Sequence, residues 1–522
     1  MGMNKHSHNK VVYKPYVMEQ PSLLPPDLEE LIPENHVVRT VHAAIEQLDL
    51  RILHQQYRGG GTSSYHPKMM LKVLVYGYVE KLYSSRRIAK ALRENVNFMW
   101  LSGQNRPDFR TINRFRGEVV KEAMGEVFAS VLELLIEQKH VKLDDYFVDG
   151  SKLEANANRH SAVWAKNTQR YKEKVQQKIR ELLEEIEAVN EAEQEQYGDR
   201  DLPEMGEEAV IDSQRVKEKM EQLNERLRQR PKDKELKKAV RQLEKDYLPR
   251  LAKYEDQEEK LAERNSYSKT DPAATFMRMK EDQGKREAWP KPAYNVQLGT
   301  ENQFIIGFSA HQYTGDGVCL IPHMEAVKQM LGGLPQNWMG DGAYGTEENL
   351  AYAEENECRA YLKYRTFHQE SKAKYRDDPF RAESFAYDPK SDCFICPEGR
   401  HLPFEQLKIR TTKTGFQTHI SRYTCLDCSA CPVKEQCSQG QGNRQINVNW
   451  NYWRLKAAAQ QRLTSNKGVK LRSRRGWDVE GVFGQIKYNR GFRRFMLRGL
   501  EKVRTELGLL ALAHNFNKLA AV

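Results

Sequence analysis

A long, highly charged stretch with the apolar spacing of a coiled coil lies in the middle of the chain, between about Lys166 and Arg264. Its apolar residues step by four and three positions, which is the period of a helical seam. They are Val175, Ile179, Leu182, Ile186 and Val189, then Val216, Met220, Leu223 and Leu227, and beyond Pro231 they are Leu236, Val240, Leu243 and Tyr247. Strand-like sequence stands on both sides of this stretch. We therefore predict an antiparallel helical hairpin at 166–264 that is inserted into, and splits, a core containing β-strands.

The region before this core has helical spacing from about Val37 to His140 and predicts an all-helical domain at 1–140. Near its end, Arg110 and Arg114 crowd the start of a helix that follows a shorter one. Two helices of which the second has a basic front suit entry into a DNA groove. A plain helical bundle with a solvated basic face explains the same spacing equally well.

Two aspartates follow short apolar segments of the type that forms strands. Asp149 comes directly after Tyr146–Val148, and Asp341 follows the apolar part of LPQNWMG and precedes a Gly-rich turn and a helical segment. Strand, acid, turn and helix is the order found at the carboxyl edge of a sheet. We expect the two carboxylates to lie side by side if their strands are neighbours, with a β-hairpin at 293–312 in the same core.

A third acid, Glu480, lies in a basic segment near the end of the chain. Val479, Val482, Phe483 and Ile486 predict an apolar helix face, and Glu480 and Lys487 share a different face. From Lys467 to Arg504 twelve basic residues stand against three acidic ones. Such a segment is expected to follow a DNA backbone and to bind it with a steep salt dependence.

Three carboxylates that converge on a pair of divalent cations are what phosphodiester cleavage by the two-metal route requires, with the ions roughly 3.5–4 Å apart. Hard cations such as Mg²⁺ or Mn²⁺ prefer oxygen ligands. We therefore interpret Asp149, Asp341 and Glu480 as catalytic metal ligands for two ions. Asp316 is a further candidate acid, and Trp477 is a candidate to stack on an unpaired base or, alternatively, a core residue.

Six of the eight cysteines are clustered and follow a Cys-x-x-Cys pattern. They are Cys393, Cys396, Cys425, Cys428, Cys431 and Cys437. Two such pairs 28 residues apart have the spacing of a tetrahedral zinc site, although six thiols exceed the four that one ion needs. We expect one structural Zn²⁺ held by four of them, with free thiols as the alternative.

Composition fits a polyanionic partner and gives no sign of a membrane protein. Lys and Arg (83) exceed Asp and Glu (72), for a formal charge of +11. No apolar run approaches the roughly 18 residues of a spanning helix, and the first residues have no apolar signal-peptide centre. We expect double-stranded DNA as the partner, no membrane contact, and a cytoplasmic, nucleoid-associated location.

Several motifs together resemble one family. FVDGSKLEANAN, TDPAATFMRMK with AYNVQ, GDGAYG, and VEGVFGQIK with ALAHNFNKL are similar to bacterial insertion-sequence transposases of the DDE type. That resemblance implies a ribonuclease H-like catalytic core, metal binding by Asp149, Asp341 and Glu480, and contact of Lys487 with the transposon end. The family signature also has Tyr and Arg seven and four residues before the glutamate, where this chain has Ser473 and Gly476; Arg474 and Arg475 are the candidate substitutes.

The sequence thus predicts an α/β protein: a ribonuclease H-like mixed sheet with an all-α N-terminal domain, an inserted coiled-coil hairpin and a small Cys-rich insertion. The predicted parts are a helical DNA-binding domain (1–140), core segments (141–165 and 265–365), the hairpin (166–264), a Cys-rich, zinc-ribbon-like insertion (366–450) and a C-terminal catalytic helix with a basic helical end (451–522). The candidate DNA-binding residues are Lys487, Arg474, Arg475, Arg490, Arg493, Arg494, Arg110 and Arg114.

The expected activity is metal-dependent cleavage at the ends of an insertion sequence, within terminal inverted repeats, and strand transfer into target DNA. A homodimer is expected in the active complex, because two DNA ends must be held together. The alternatives are a non-catalytic, transposase-derived DNA-binding regulator and a coiled-coil scaffold, of which the second explains only the 166–264 stretch.

Overall fold

Helices make up the N-terminal part of the computed structural model, which describes residues 27–57, 64–197, 211–229, 231–282, 284, 288–438 and 440–522. They are α1 (Val37–Gln47), α2 (Arg51–Gln55), α3 (Pro67–Val79), α4 (Ser85–Glu94), α5 (Val96–Leu101), α6 (Phe109–Arg114) and α7 (Val120–Glu137), with a π-helical segment, Phe115–Val119, joining the last two. The central helix is α3, in which every residue from Met70 to Val79 is buried. A helix of that kind belongs at the centre of a bundle.

The helical insertion leaves and re-enters the core at one point. The elements of this part are β1 (Asp145–Glu154), β2 (Ala162–Trp164), α8 (Ala165–Tyr197), α9 (Ser213–Gln229), α10 (Lys234–Gln242), α11 (Leu248–Leu261), β3 (Ser266–Ser268) and β4 (Thr275–Met277). Strands β2 and β3 pair antiparallel, which brings the two ends of the insertion together.

The described residues of this insertion form three helical bodies rather than the two of the predicted hairpin. A π-helical segment, Leu243–Tyr247, joins α10 and α11 into one continuous helix that packs with α8 and α9. Their shared core contains the expected seam residues Val175, Ile179, Val216 and Leu223. Pro231 lies between α9 and α10, where its missing N–H and fixed φ are tolerated.

The core continues with β5 (Lys291–Glu301), β6 (Phe304–His311), α12 (Asp316–Leu331), β7 (Asn337–Gly340), α13 (Glu347–Glu355) and β8 (Arg359–Leu362). Strands β5 and β6 form the predicted hairpin, and its turn residues Asn302 and Gln303 have φ of 53° and 65°. Positive φ at both central turn positions matches the twist of the flanking strands.

One mixed sheet results, in the order β6-β5-β1-β7-β8, with β4 also paired to β5. Strand β1 is antiparallel to β5 and parallel to β7, and β7 is parallel to β8. Helix α12 covers one face, where the Tyr146 hydroxyl lies 2.6 Å from His323 Nε2. The architecture is therefore mixed α/β, and the ends of β1 and β7 are neighbours.

The Cys-rich region has a separate, five-stranded antiparallel sheet in the order β13-β12-β11-β10-β9. Its elements are α14 (Phe367–Glu370), α15 (Ala373–Arg376), β9 (Ala386–Asp388), β10 (Cys393–Ile395), β11 (His401–Thr411), β12 (Gln417–Thr424), α16 (Lys434–Cys437) and β13 (Gln445–Val448). A small core of its own, centred on Phe394 and Tyr423, holds it together.

The C-terminal segment returns to the large sheet through α17 (Trp450–Thr464), α18 (Asn466–Arg475), α19 (Gly481–Gly484) and α20 (Leu500–Leu519). Two π-helical segments, Gly476–Glu480 and Gln485–Asn489, flank α19. Asp478 accepts a hydrogen bond from the Thr300 hydroxyl at 2.7 Å, so this segment packs on the sheet face opposite α12. Among the described helices, none has the length and apolar character needed to cross a membrane.

Candidate active site

Two predicted acids lie at neighbouring strand ends. The parallel register pairs Phe147 of β1 with Met339 of β7, so two residues further along Asp149 stands beside Asp341. Burial raises the pKa of Asp149 to about 6, and the charge of Asp341 adds to that rise while Arg475 and Lys280 oppose it. The sheet thus brings together two carboxylates that are far apart in sequence.

Glu480 joins them through one arginine. The Arg475 guanidinium lies 2.9 Å from an Asp149 oxygen and 2.5 Å from a Glu480 oxygen. Arg475 and Asp149 are buried, whereas the Glu480 side chain is 51% exposed. The single charge of this guanidinium compensates one of the two negative charges that the ionised carboxylates carry.

The π-helical turn Gly476–Glu480 explains how Arg475 reaches that position. The family signature places arginine four residues before the glutamate, but this chain has Gly476 there. A π turn closes between residues five apart, so Arg475 lies one turn below Glu480. Arg474 instead faces Asp145, 3.5 Å away, and Ser473 donates its hydroxyl to the carbonyl of Lys470.

Two lysines at this edge escaped the sequence analysis. Lys280 donates to the Gly150 carbonyl at 3.1 Å, and Lys363 directly follows β8 as Asp341 follows β7. Burial lowers the pKa of Lys363, with Arg475 and Arg472 acting in the same direction and Asp341 and Glu480 against it. The position of Lys363 after an apolar strand segment was the available signal.

The predicted metal centres are not assembled as groups of three or more ligands. Within the described ranges, no three Asp, Glu, His or Cys side chains come together closely enough to hold a metal ion. At the acid edge the physical reason is the Arg475 guanidinium, which stands between the carboxylates of Asp149 and Glu480.

Lys487 points inward rather than sharing the exposed face of Glu480, which corrects its expected orientation, and Arg490 also points inward. Lys487 is buried and lies 3.1 Å from Glu281, and burial lowers its pKa. Arg490 is buried and directs its guanidinium to the carbonyls of Tyr78 and Ala513. The wider π turns take up extra residues and so rotate the side chains that follow.

Four other candidate DNA-binding residues are exposed. Arg493 and Arg494 lie in the loop after the second π segment, where Arg494 donates to the carbonyls of Ala155 and Ala157. Arg110 and Arg114 lie on α6. These two basic pairs belong to different parts of the chain.

The two secondary candidates lie differently from each other. Asp316 packs against Gly150 and accepts hydrogen bonds from Asn295 at 2.7 Å and Gln297 at 3.3 Å. Since successive residues of a strand point to opposite faces, Asp316 lies across the sheet from the Asp149 side chain. Trp477 is 54% exposed beside Glu480, so it is not a core residue.

Five of the six clustered cysteines line a small cavity of about 20 Å³. They are Cys396, Cys425, Cys428, Cys431 and Cys437. Backbone N–H groups of Arg400 and Arg444 donate to the sulfurs of Cys396 and Cys428 at 3.3 and 3.4 Å. The sixth, Cys393, lies outside this group with its sulfur beside Ser391 and His401. The five cavity cysteines still exceed the four ligands that were expected among the six.

Two family models match the chain. Residues 395–520 match the Transposase DDE domain, and residues 26–118 match a Transposase domain (DUF772). Glu480 and Lys487 lie within the first range, and Arg110 and Arg114 within the second, whereas Asp149 and Asp341 lie in neither. No curated protein and no solved structure matches the chain.

Proposed function

We propose that the chain is a DDE-type insertion-sequence transposase, which cleaves DNA at the ends of its element and joins them to target DNA; its two transposase-domain matches support this proposal. Asp149, Asp341 and Glu480 are the proposed metal ligands. The observation that carries this proposal is that two of these acids stand at adjacent parallel strand ends and the third shares the Arg475 guanidinium with the first.

The chemistry of this edge fits divalent cations. Carboxylate oxygens are the ligands that Mg²⁺ and Mn²⁺ prefer. Burial disfavours the charged form of Asp149, and a cation beside it, such as the Arg475 guanidinium, opposes that effect. When bound, two such ions activate the attacking oxygen and stabilise the leaving one. Arg475 must then give up at least one carboxylate, and its guanidinium becomes free to contact a DNA phosphate.

The order of the large sheet supports a ribonuclease H-like core. A three-stranded antiparallel meander, β1-β5-β6, is extended on the other side of β1 by the parallel strands β7 and β8. This order puts the ends of β1 and β7 side by side, with the Glu480 segment packed across the sheet face that Asp149 shares.

For DNA contact we propose the half-buried Arg474 and the exposed Arg493 and Arg494, together with Arg110 and Arg114 on α6. Lys487 is proposed to contact DNA once a phosphate replaces its present partner, Glu281. Two DNA ends held in one complex call for a homodimer, and a cytoplasmic, nucleoid-associated location follows from DNA as substrate.

We also propose one structural zinc ion in the Cys-rich module, held by four of the five cavity cysteines. The N–H groups directed at Cys396 and Cys428 are of the kind that orient thiolate ligands. Zinc content of the purified chain tests this: Cys396→Ser is expected to lose the ion, whereas Cys393→Ser keeps it. Loss in the Cys393 variant alone contradicts the assignment.

The test of the main proposal is cleavage of linear DNA that carries the gene with its flanking sequence, in the presence of Mg²⁺ or Mn²⁺. Asp149→Asn, Asp341→Asn and Glu480→Gln are expected to abolish cleavage while DNA binding persists. Glu501→Gln, an exposed acid on the same basic segment, is the matched control and is expected to cleave normally.

Full cleavage by any of the three acid variants contradicts the metal-ligand assignment. A non-catalytic DNA-binding regulator is the alternative, and it predicts binding without cleavage in the native chain as well. Both matched families are transposase domains, so nothing observed favours that alternative.

A further inference from the structure

A cleft of about 660 Å³ lies between the N-terminal helices and the C-terminal segment, away from the acids described above. One wall is the start of α4, with Ser84, Ser85 and Arg86, and the first residues of α6. The opposite wall is formed by the loop at Met496 and the first turn of α20, with Lys502. The cleft is therefore a composite of segments some 400 residues apart in sequence.

The charge of this cleft is predominantly positive. Arg86, Arg110, Arg114 and Lys502 line it and are exposed, and none has a salt bridge to another described residue. The Arg86 and Arg110 guanidinium carbons lie 4.9 and 5.8 Å from the ring centroid of Phe109, which holds the two cations together without neutralising them. One acid, Glu118, also lines the cleft.

Hydrogen-bond donors at the start of α4 lack partners as well. Ser84 is the N-cap of this ten-residue helix, but its side chain makes no capping bond to the first-turn N–H groups. The Ser85 hydroxyl, on a residue 7% exposed, has no hydrogen-bond partner among the residues that the structure describes. Unsatisfied buried polar groups are rare in native proteins and call for a partner, and a helix start with free N–H groups attracts an anion.

Buried hydrogen bonds hold both walls in place. Arg116 donates to the Tyr78 hydroxyl and the Tyr83 carbonyl at 3.0 and 2.9 Å. Glu506 of α20 accepts from the same Tyr78 hydroxyl at 3.0 Å and from the backbone N–H groups of Met496 and Leu497 at 2.9 and 3.0 Å. The cleft is thus preformed, which lowers the ordering cost of binding.

We propose that this cleft binds the phosphate backbone of duplex DNA, with the Ser84–Arg86 helix start on one side of the strand and Lys502 on the other. The proposal rests on the proposed function. It adds to that function that one DNA strand contacts the N-terminal helices and the C-terminal segment at the same time. Cationic side chains and a helix start bind phosphate oxygens without reading bases. DNA held by the N-terminal helices is thereby fixed relative to the segment that carries Glu480.

The experiment measures binding of the full chain to a fluorescent DNA duplex by anisotropy, without divalent metal, over a range of salt concentrations. Arg86→Ala and Lys502→Ala are each expected to reduce the slope of log Kd against log salt by about one, and the double variant by about two. Lys90→Ala is the matched control, an exposed lysine of α4 paired with Glu94 and outside the cleft, and its slope stays unchanged. Unchanged slopes for Arg86→Ala and Lys502→Ala overturn the proposal.

Ser85→Ala distinguishes a binding role from a structural one. It is expected to weaken DNA binding while leaving the melting temperature equal or higher, since it removes a buried hydroxyl without a partner. Normal DNA binding by Ser85→Ala contradicts the proposed binding of phosphate at the start of α4.

Competitor arms identify the source of the phosphate. End-bearing and unrelated duplexes of equal length are expected to lose affinity alike in the cleft variants. If duplex RNA or millimolar inorganic phosphate displaces the labelled DNA more strongly than unlabelled duplex DNA does, the assignment to DNA is overturned.

The proposed catalytic function and the proposed DNA-binding cleft can be refuted independently of each other. Asp149→Asn is expected to bind DNA with the native salt slope and not to cleave it. Normal cleavage by Asp149→Asn refutes the proposed function and leaves the cleft result standing. Unchanged binding by the Arg86 and Lys502 variants refutes the cleft alone.

Discussion

Replacing Arg475 with Met removes the cation that two acids share, and the cost is expected to come almost entirely from Asp149. Both Arg475 and Asp149 are buried and 2.9 Å apart, and breaking a buried pair by removing one partner costs about 3–5 kcal/mol. The Glu480 end is half exposed, so its pair adds only about 0.2–1 kcal/mol. We expect the free energy of opening of β1 to fall by about 3 kcal/mol at pH 8.

The pH dependence follows from the sign of the Asp149 shift. Its folded pKa, about 6, lies above the unfolded value of 3.8, so the folded state loses stability as pH rises through 6. Without Arg475 the folded pKa rises further, and the loss continues at higher pH. The Arg475→Met defect is therefore expected to be small at pH 5 and to grow towards pH 8.

The assay is hydrogen exchange of the β1 and β7 amides by mass spectrometry, in a double-mutant cycle of Arg475→Met with Asp149→Asn. A direct pair predicts a coupling energy of about 2–3 kcal/mol. Arg474→Met is the matched control, because that side chain faces Asp145 and Asp478 at 3.5 Å and not Asp149. Additive effects of Arg475→Met and Asp149→Asn refute the reasoning.

Mn²⁺ extends the same experiment. If these carboxylates share a cation site, Mn²⁺ is expected to protect β1 more in Arg475→Met than in the native chain, because no guanidinium has to be displaced. Equal protection in the two chains argues that the guanidinium and the metal do not compete.

Other predictions concern the sheet and its buried polar groups. Gly299→Ala puts a Cβ 1.7 Å from the Tyr146 ring and is expected to destabilise the chain by about 3 kcal/mol or more in urea unfolding, whereas Gly125→Ala in α7, with nothing within 4 Å, is expected to be neutral or stabilising. Burial lowers the pKa of His323 to about 3 and that of His311 to about 4; because the unfolded chain takes up these protons first, stability is expected to fall as pH drops below about 6.5. In His323→Phe the melting temperature is expected to fall less between pH 8 and pH 4 than in the native chain. An equal fall in the two chains contradicts this role of His323.

The local spacing of apolar residues was sufficient to predict those helices and strands in which buried and exposed positions alternate regularly. The β5–β6 hairpin, the strand before Asp341 and the apolar seam of the insertion follow from periods of two and of four and three. The number of helices in that insertion did not follow, since a seam period is the same for two helices as for three that share a core.

The candidate site divides in the same way. The sequence alone determined which residue types were available: acids after apolar strand segments, a glutamate in a basic helix, and clustered thiols. Which of them meet was decided by tertiary structure. Strand order placed Asp149 beside Asp341, and Cys393 was turned away from the other cysteines by its place on β10.

The physical reason is that side-chain direction depends on the type of turn and on partners distant in sequence. The π-helical segments are not predicted by any local sequence pattern. They bring Arg475 to Glu480 and direct Lys487 towards Glu281. Likewise, Lys502 faces Arg86 across a cleft only because Glu506 and Tyr78 join the two ends of the chain. The sequence supplied the chemical groups, and the fold decided which of them share a site.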